Sequence, residues 1–239
     1  MPHPHSPAAV ADTHGRYDMY GLIHKALRRA QCDMLIRLGS TDFSRRGLDG
    51  LIDDLRGLLS LGASHISHEE VHIHTALDLR APKATDAVQH EHDSHRQSFR
   101  QLEELIDRLE NAEASRRPAI GRQLYLSYSL FVARDFEHMF EEETELSARL
   151  WDHFDDAELG AMEGAIKSSL PPEKVIVFMR LMIPAINAEE RAGMLGGMKA
   201  HAPREAFEAV MELAARPTLS PEEMGELERR LALSQCVPA

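Results

Sequence analysis

Apolar residues recur at helical spacing through four long stretches of the chain. The first, over residues 17–38, carries Leu22, Ile23, Ala26, Leu27, Met34 and Leu35, the three-and-four spacing of one helix face. Gly39-Ser40 stops it. The second, over 48–79, carries Leu51, Ile52, Leu55, Leu58 and Leu59, and Pro82 closes it. The third, over 85–110, places Phe99, Leu102, Leu105, Ile106 and Leu109 on one stripe. The fourth opens near Pro118, a residue suited to a first turn, and runs to Trp151. Runs of β-branched and aromatic residues that would mark strands are missing. The pattern therefore predicts an all-α protein: an antiparallel up-down-up-down four-helix bundle over residues 15–152. Residues 1–14 are expected to be a disordered tail.

Residues 153–239 read differently, as a C-terminal extension of shorter helices. Pro171-Pro172, Pro184, Pro203 and Pro217 punctuate it. Asn187 with Glu190, and Ser220 with Glu223, have capping-box spacing. Met179, Met182, Met194, Met198 and Met211 enrich this part. Their first reading is adaptable core packing. A flap over a substrate entrance, or the surface of a homodimer, is the alternative.

Charge narrows the function classes. The formal net charge is −12, which argues against the basic face that nucleic acid requires and disfavours an anionic membrane. No apolar run approaches the length of a membrane span, and the start lacks a secretory apolar core. A cytoplasmic protein is the expectation. Cys32 and Cys236 give neither a disulfide framework nor a thiolate metal site. The unusual count is 14 histidines, most of them between His65 and His153, and it directs attention to metal.

A His-x-x-x-Glu pair occurs twice, at His65/Glu69 and at His138/Glu142. Residues four apart share a helix face, so each pair can point into a bundle interior. Bundles hold di-iron sites with inward Glu and His side chains from facing helices. Levels along the helices match as well. His92 lies 18 residues before Glu110, and His138 lies 20 after Pro118. His24 lies 15 before Gly39, and His65 lies 17 after Leu48. At about 1.5 Å of rise per residue, antiparallel helices would bring all four histidines to one layer.

Four stretches in this order carry a resemblance: Gly21-Leu-Ile-His24, His65-Ile-Ser-His-Glu-Glu-Val-His-Ile-His-Thr-Ala-Leu77, Glu91-His92-Asp93 and His138-Met-Phe-Glu-Glu-Glu-Thr-Glu-Leu146. Residues 17–150 resemble the hemerythrin-like, His-His-Glu cation-binding family. The resemblance implies two iron ions with an oxo or hydroxo bridge. It makes His24, His65, His92 and His138 terminal ligands, and Glu69 and Glu142 bridges. Oxygen carriers of that family have His-x-x-x-His on the third helix and end in His-x-x-x-x-Asp. Here Arg96 stands four after His92, and Glu142 stands four after His138. In this respect the chain is more similar to the iron-repair and iron-sensing members.

The six ligands leave one fewer than the carriers have, with His95, His90, His72 or a tyrosine as candidates for another. His68 is expected at the surface or behind a ligand, and His74 at the surface. Glu141, Glu143 and Glu145 read as a solvated acidic face, and Tyr125 and Tyr128 as core. The functional expectation is a non-haem di-iron protein handling oxygen, nitric oxide, peroxide or iron. The alternatives are a di-iron enzyme, catalase-like or oxygen-activating on a small organic substrate, and a regulatory protein whose folding depends on metal.

Overall fold

The structure, a computed structural model, describes residues 15–233. The N-terminal tail with His3, His5 and His14, and the C-terminal Cys236, lie outside the described residues. The described chain is all-helical, with no strand among its residues. It runs α1 (Gly21–Gly39), α2 (Asp49–His68), a π-helical turn (Glu69–His74), α3 (Thr75–Arg80), α4 (Asp86–Glu110) and α5 (Arg117–Glu141). A second π turn (Glu142–Leu146), α6 (Ser147–His153) and α7 (Asp156–Ser169) follow. Then come α8 (Pro172–Ala185), α9 (Ala188–His201), α10 (Arg204–Val210), a third π turn (Met211–Ala215), α11 (Arg216–Thr218) and α12 (Pro221–Leu233).

Contacts divide the chain into two compact units. The first holds the described residues up to Tyr20 together with Ala30–Ile166. Its main core joins Met34 and Leu38 of α1 to Ile52, Leu55 and Leu59 of α2. Phe99, Leu102, Ile106 and Leu109 of α4 and Leu124, Tyr128 and Phe131 of α5 complete that core. These are the helical stripes of the sequence, buried as their spacing requires. A separate apolar cluster gathers Tyr20, Ile73, Leu77, Val88, Leu146, Leu150, Phe154 and Leu159.

The sequence places the start of the C-terminal extension at residue 153, whereas the first unit continues to Ile166. Polar contacts across a long sequence separation account for this. The Arg16 guanidinium donates to the carbonyls of Trp151 at 3.1 Å and Phe154 at 2.8 Å, and to Asp156 at 2.8 Å. The Trp151 indole donates to the Tyr17 carbonyl at 2.9 Å. Tyr17 in turn donates to Glu163 at 2.5 Å.

Gly121 on α5 marks the tightest packing in this unit. A Cβ there would fall on the Phe43 ring. We expect Gly121→Ala to destabilise the protein by about 1–3 kcal/mol, the usual cost of overpacking. Gly57 in α2 has nothing within 4 Å of its Cβ position. Gly57→Ala should gain about 0.5–1 kcal/mol from helix propensity. Urea denaturation of both variants checks the pair, and equal effects would contradict it.

The second unit holds Gly21–Arg29 and the residues from Lys167 onward. Its core is Ile183, Leu195, Val210, Ala214, Ala215, Leu219, Met224, Leu227 and Leu231. Met179, Met194, Met198 and Met211 pack against that core as partly buried side chains. Both capping boxes form. Asn187 Oδ1 accepts from Glu190 N at 2.9 Å, and Glu190 accepts from Asn187 N at 3.0 Å. Ser220 and Glu223 make the same reciprocal pair at 3.3 and 2.9 Å. Buried Arg191 donates to the carbonyls of Ile183 and Ile186 at 2.9 and 3.0 Å, which satisfies the open end of α8.

Candidate metal centre

Five of the six sequence-derived candidates belong to the first unit: His65, Glu69, His92, His138 and Glu142. Their side chains converge inside it. The His65 Nε2 lies 3.0 Å from Glu69 Oε1. The His92 Nε2 lies 3.5 Å from Glu69 Oε2 and 3.6 Å from Glu142 Oε1. The His138 Nε2 lies 3.4 Å from Glu142 Oε1 and 3.1 Å from the His92 Nε2. All of these side chains are buried except that of His65, which is 14% exposed. The sixth candidate, His24, is fully buried on α1 and falls in the stretch assigned to the second unit.

Each of the two central rings is held from behind by a carboxylate. His138 Nδ1 sits 2.7 Å from Glu91 Oε2. His92 Nδ1 sits 3.2 Å from Glu70 Oε1. An imidazole donating Nδ1–H to a carboxylate presents the bare lone pair of Nε2. Both lone pairs then face one another at 3.1 Å, flanked by the oxygens of Glu69 and Glu142. Four electron-rich groups around one point repel unless a cation sits among them. Nitrogens about 2.0–2.1 Å from one ion, at right angles to each other, lie about 3 Å apart. The donor set and its spacing thus fit a bound metal ion.

The protonation tendencies agree. Burial holds His92 down at about 4, against the opposing charge of Glu69, so the ring is neutral at pH 7. Burial, with the neighbouring Glu69 charge next, pushes Glu142 well above the usual carboxylate range. Glu91 is lowered chiefly by its hydrogen bond to His138. Glu70 is lowered even though burial opposes its charge. Arg96 and Gln89 both donate to it, Gln89 at 2.6 Å, and these bonds together with the Arg96 charge and the His92 contact outweigh the burial.

His74 corrects the sequence reading, which places it at the surface. It is 3% exposed, and neither ring nitrogen has a hydrogen-bond partner. Its ring stacks on His92 at 5.1 Å, with planes 14° apart. Together with His92 and Glu142 it forms a buried group able to hold a metal ion. The cause is the π turn that begins at Glu69. In an α-helix at 3.6 residues per turn, a residue five further on points about 140° away. Bonding from i to i+5 widens the turn and brings residues five apart toward one face. The second π turn begins at Glu142, the other candidate bridge. In each case a hydroxyl answers the carbonyl five residues back: Thr75 to Glu70 and Ser147 to Glu142, both at 2.8 Å. The signal for His74 in sequence is Glu-x-x-x-x-His.

The remaining candidates separate clearly. His95 is buried, with its Nδ1 3.6 Å from Asp135 and its ring edge-on to His138 at 4.7 Å. Asp135 also accepts from Gln31 at 2.5 Å. His90 is exposed, and His72 is half-exposed. Glu145 is exposed, while Glu141 and Glu143 are half-exposed. Tyr128 is fully buried in the main core, and its hydroxyl donates to the Gln31 carbonyl at 3.4 Å. The tyrosine beside the carboxylates is instead Tyr20. It is fully buried, and its phenol is raised far above the ordinary value by burial and then by the charges of Glu142 and Glu69.

Glu70, Glu91 and Asp135 meet the histidines through contacts between helices, which spacing along the chain does not show. Glu91→Ala should weaken metal binding about 10–100-fold, the usual cost of removing a carboxylate behind a histidine ligand. Competition with a chelator of known affinity measures it, and unchanged affinity would contradict the support role. Comparison with protein families, with curated proteins and with solved structures finds no match to this chain.

Proposed function

We propose that this chain is a non-haem di-iron protein of hemerythrin-like character that binds a small ligand such as oxygen, nitric oxide or peroxide. In this reading α1, α2, α4 and α5, with the helical continuations of α2 and α5, form an antiparallel up-down-up-down bundle. The observation that carries the proposal is the facing pair of His92 and His138 Nε2 atoms, 3.1 Å apart. Both rings are backed by carboxylates, and Glu69 and Glu142 lie within 3.6 Å.

His92, His138 and His74 would serve one iron and His65 the other. Glu69, within 3.6 Å of both His65 and His92, would reach both ions, and Glu142, within 3.6 Å of His92 and His138, would serve the first and is taken as the second bridge on the resemblance alone. The sequence resemblance would add His24 as a further ligand, on the match of levels along the helices. His74 supplies the additional imidazole that the six-residue set lacked. Imidazole donors suit iron, and two carboxylates offset its charge. Iron held there would, in its reduced state, offer electrons and an open coordination position to a diatomic ligand or a peroxide. The chain's residues do the rest. Glu70 and Glu91 hold the histidine tautomers, and Arg96 and Gln89 hold Glu70.

Electronic spectroscopy tests the reading. The oxidised protein should show the near-ultraviolet bands of a bridged di-ferric pair. The reduced protein should then form a stable adduct with oxygen or nitric oxide. Rapid gas evolution from peroxide would assign a catalase-like enzyme to the same centre. A protein with no iron-dependent absorption in either state would overturn the proposal.

A further inference from the structure

The buried centre leaves two histidines of the same helical segment unused. His68, the last residue of α2, and His72, within the π turn that follows, are four residues apart. Residues at that spacing share a face. Their rings face each other with centroids 6.4 Å apart and planes tilted by 32°. Both are half-exposed, and neither takes part in a hydrogen bond or ion pair among the described residues. Two imidazoles at His-Glu-x-x-His spacing can grip one divalent ion from a helix surface. In the metalloprotease use of that spacing the intervening glutamate is the general base for the water on that ion. Here that glutamate is Glu69, which is buried and turned to His65 and His92, so the pair would hold an ion without a general base beside it. His65, three residues before His68, is the most exposed member of the buried set.

We propose that His68 and His72 form a separate, exchangeable site for a first-row divalent cation, outside the buried centre, where ferrous ion is received before it passes to His65 and Glu69. Two imidazoles with the other positions open to water suit a borderline cation held briefly rather than sequestered. The existence of the outer site does not depend on the buried one. Only its role as the receiving point rests on the di-iron reading.

Nickel(II) is the probe, titrated by calorimetry into the full-length, iron-loaded protein. The parent should bind one more nickel ion than either H68A or H72A. His90→Ala, at an exposed histidine of α4, should match the parent. Equal nickel stoichiometry in the parent, H68A and H72A would overturn the site. The receiving role is read from ferrous uptake by protein produced in iron-depleted medium. H72A should fill at least fivefold more slowly than the parent and reach the same final iron content. Equal rates would overturn the receiving role. A lower final iron content in H72A would also overturn it, because His72 would then belong to the buried centre. A parent that takes no iron but still loses one nickel site in H72A would retain the outer site and sink the buried one.

Discussion

Glu142→Met should abolish occupancy by two metal ions and yet leave the metal-free protein more stable than its metal-free parent. Glu142 is fully buried, between His92 and His138 and beside Glu69. Without metal its charge is opposed by burial and by the neighbouring carboxylate. An apolar side chain of similar size removes that cost, and such exchanges of buried charge stabilise by about 1–4 kcal/mol. The same exchange removes the oxygen that lies within 3.6 Å of both central histidines. The effect has a definite pH sign. Glu142 is raised in the folded state, so its contribution to metal-free stability is present below the ordinary glutamate value of 4.5 and is lost as pH rises above it. The advantage of the variant should therefore grow from pH 4.5 toward neutrality. Denaturation of both metal-free proteins across that range, with metal analysis of both, checks the prediction. A variant that still holds two ions, or that is less stable than the metal-free parent at neutral pH, would contradict it.

Stripping metal from the parent should lower its thermal midpoint by about 10 °C. A ligand bound only by the folded state, present at a thousand times its dissociation constant, stabilises by about 4 kcal/mol. For a chain of this size each kcal/mol moves the midpoint by about 2–4 °C. The buried rings and carboxylates of the centre give a direct reason for the dependence, since their attraction to the metal exists only when the helices are packed. Thermal unfolding with and without a chelator reads the shift. An unmoved midpoint in protein proven free of metal would place the ions elsewhere than this interior.

Much of the helical frame was legible because it follows local rules. Gly39 ends α1, Pro118 stands in the first turn of α5, and Asn187 caps α9 as its spacing with Glu190 requires. The stripes of Leu55, Leu102, Ile106 and Leu109 are buried because a 3.6-residue period puts them on one face. Two contacts of the candidate site were legible for the same reason. His65/Glu69 and His138/Glu142 each follow α-helical spacing, and each pair is in contact. What escaped the sequence depends on departures from that period or on distant partners. His74 turns inward because the helix widens at Glu69, and nothing in a regular 3.6-residue pattern announces a π turn. Glu70 and Glu91 meet His92 and His138 from neighbouring helices, contacts that spacing along the chain does not announce. Arg16 and Tyr17 bind α6 and α7 to the first unit through contacts more than 130 residues apart in sequence.

On the proposed reading, the interior around His92, His138, Glu69 and Glu142 holds a pair of irons. Metal analysis of the full-length protein, combined with Mössbauer spectroscopy of the oxidised form, tests it most directly. Two irons per chain are expected, magnetically coupled as one centre. A single uncoupled iron, zinc in its place, or protein that takes up no metal when offered ferrous ion would contradict it.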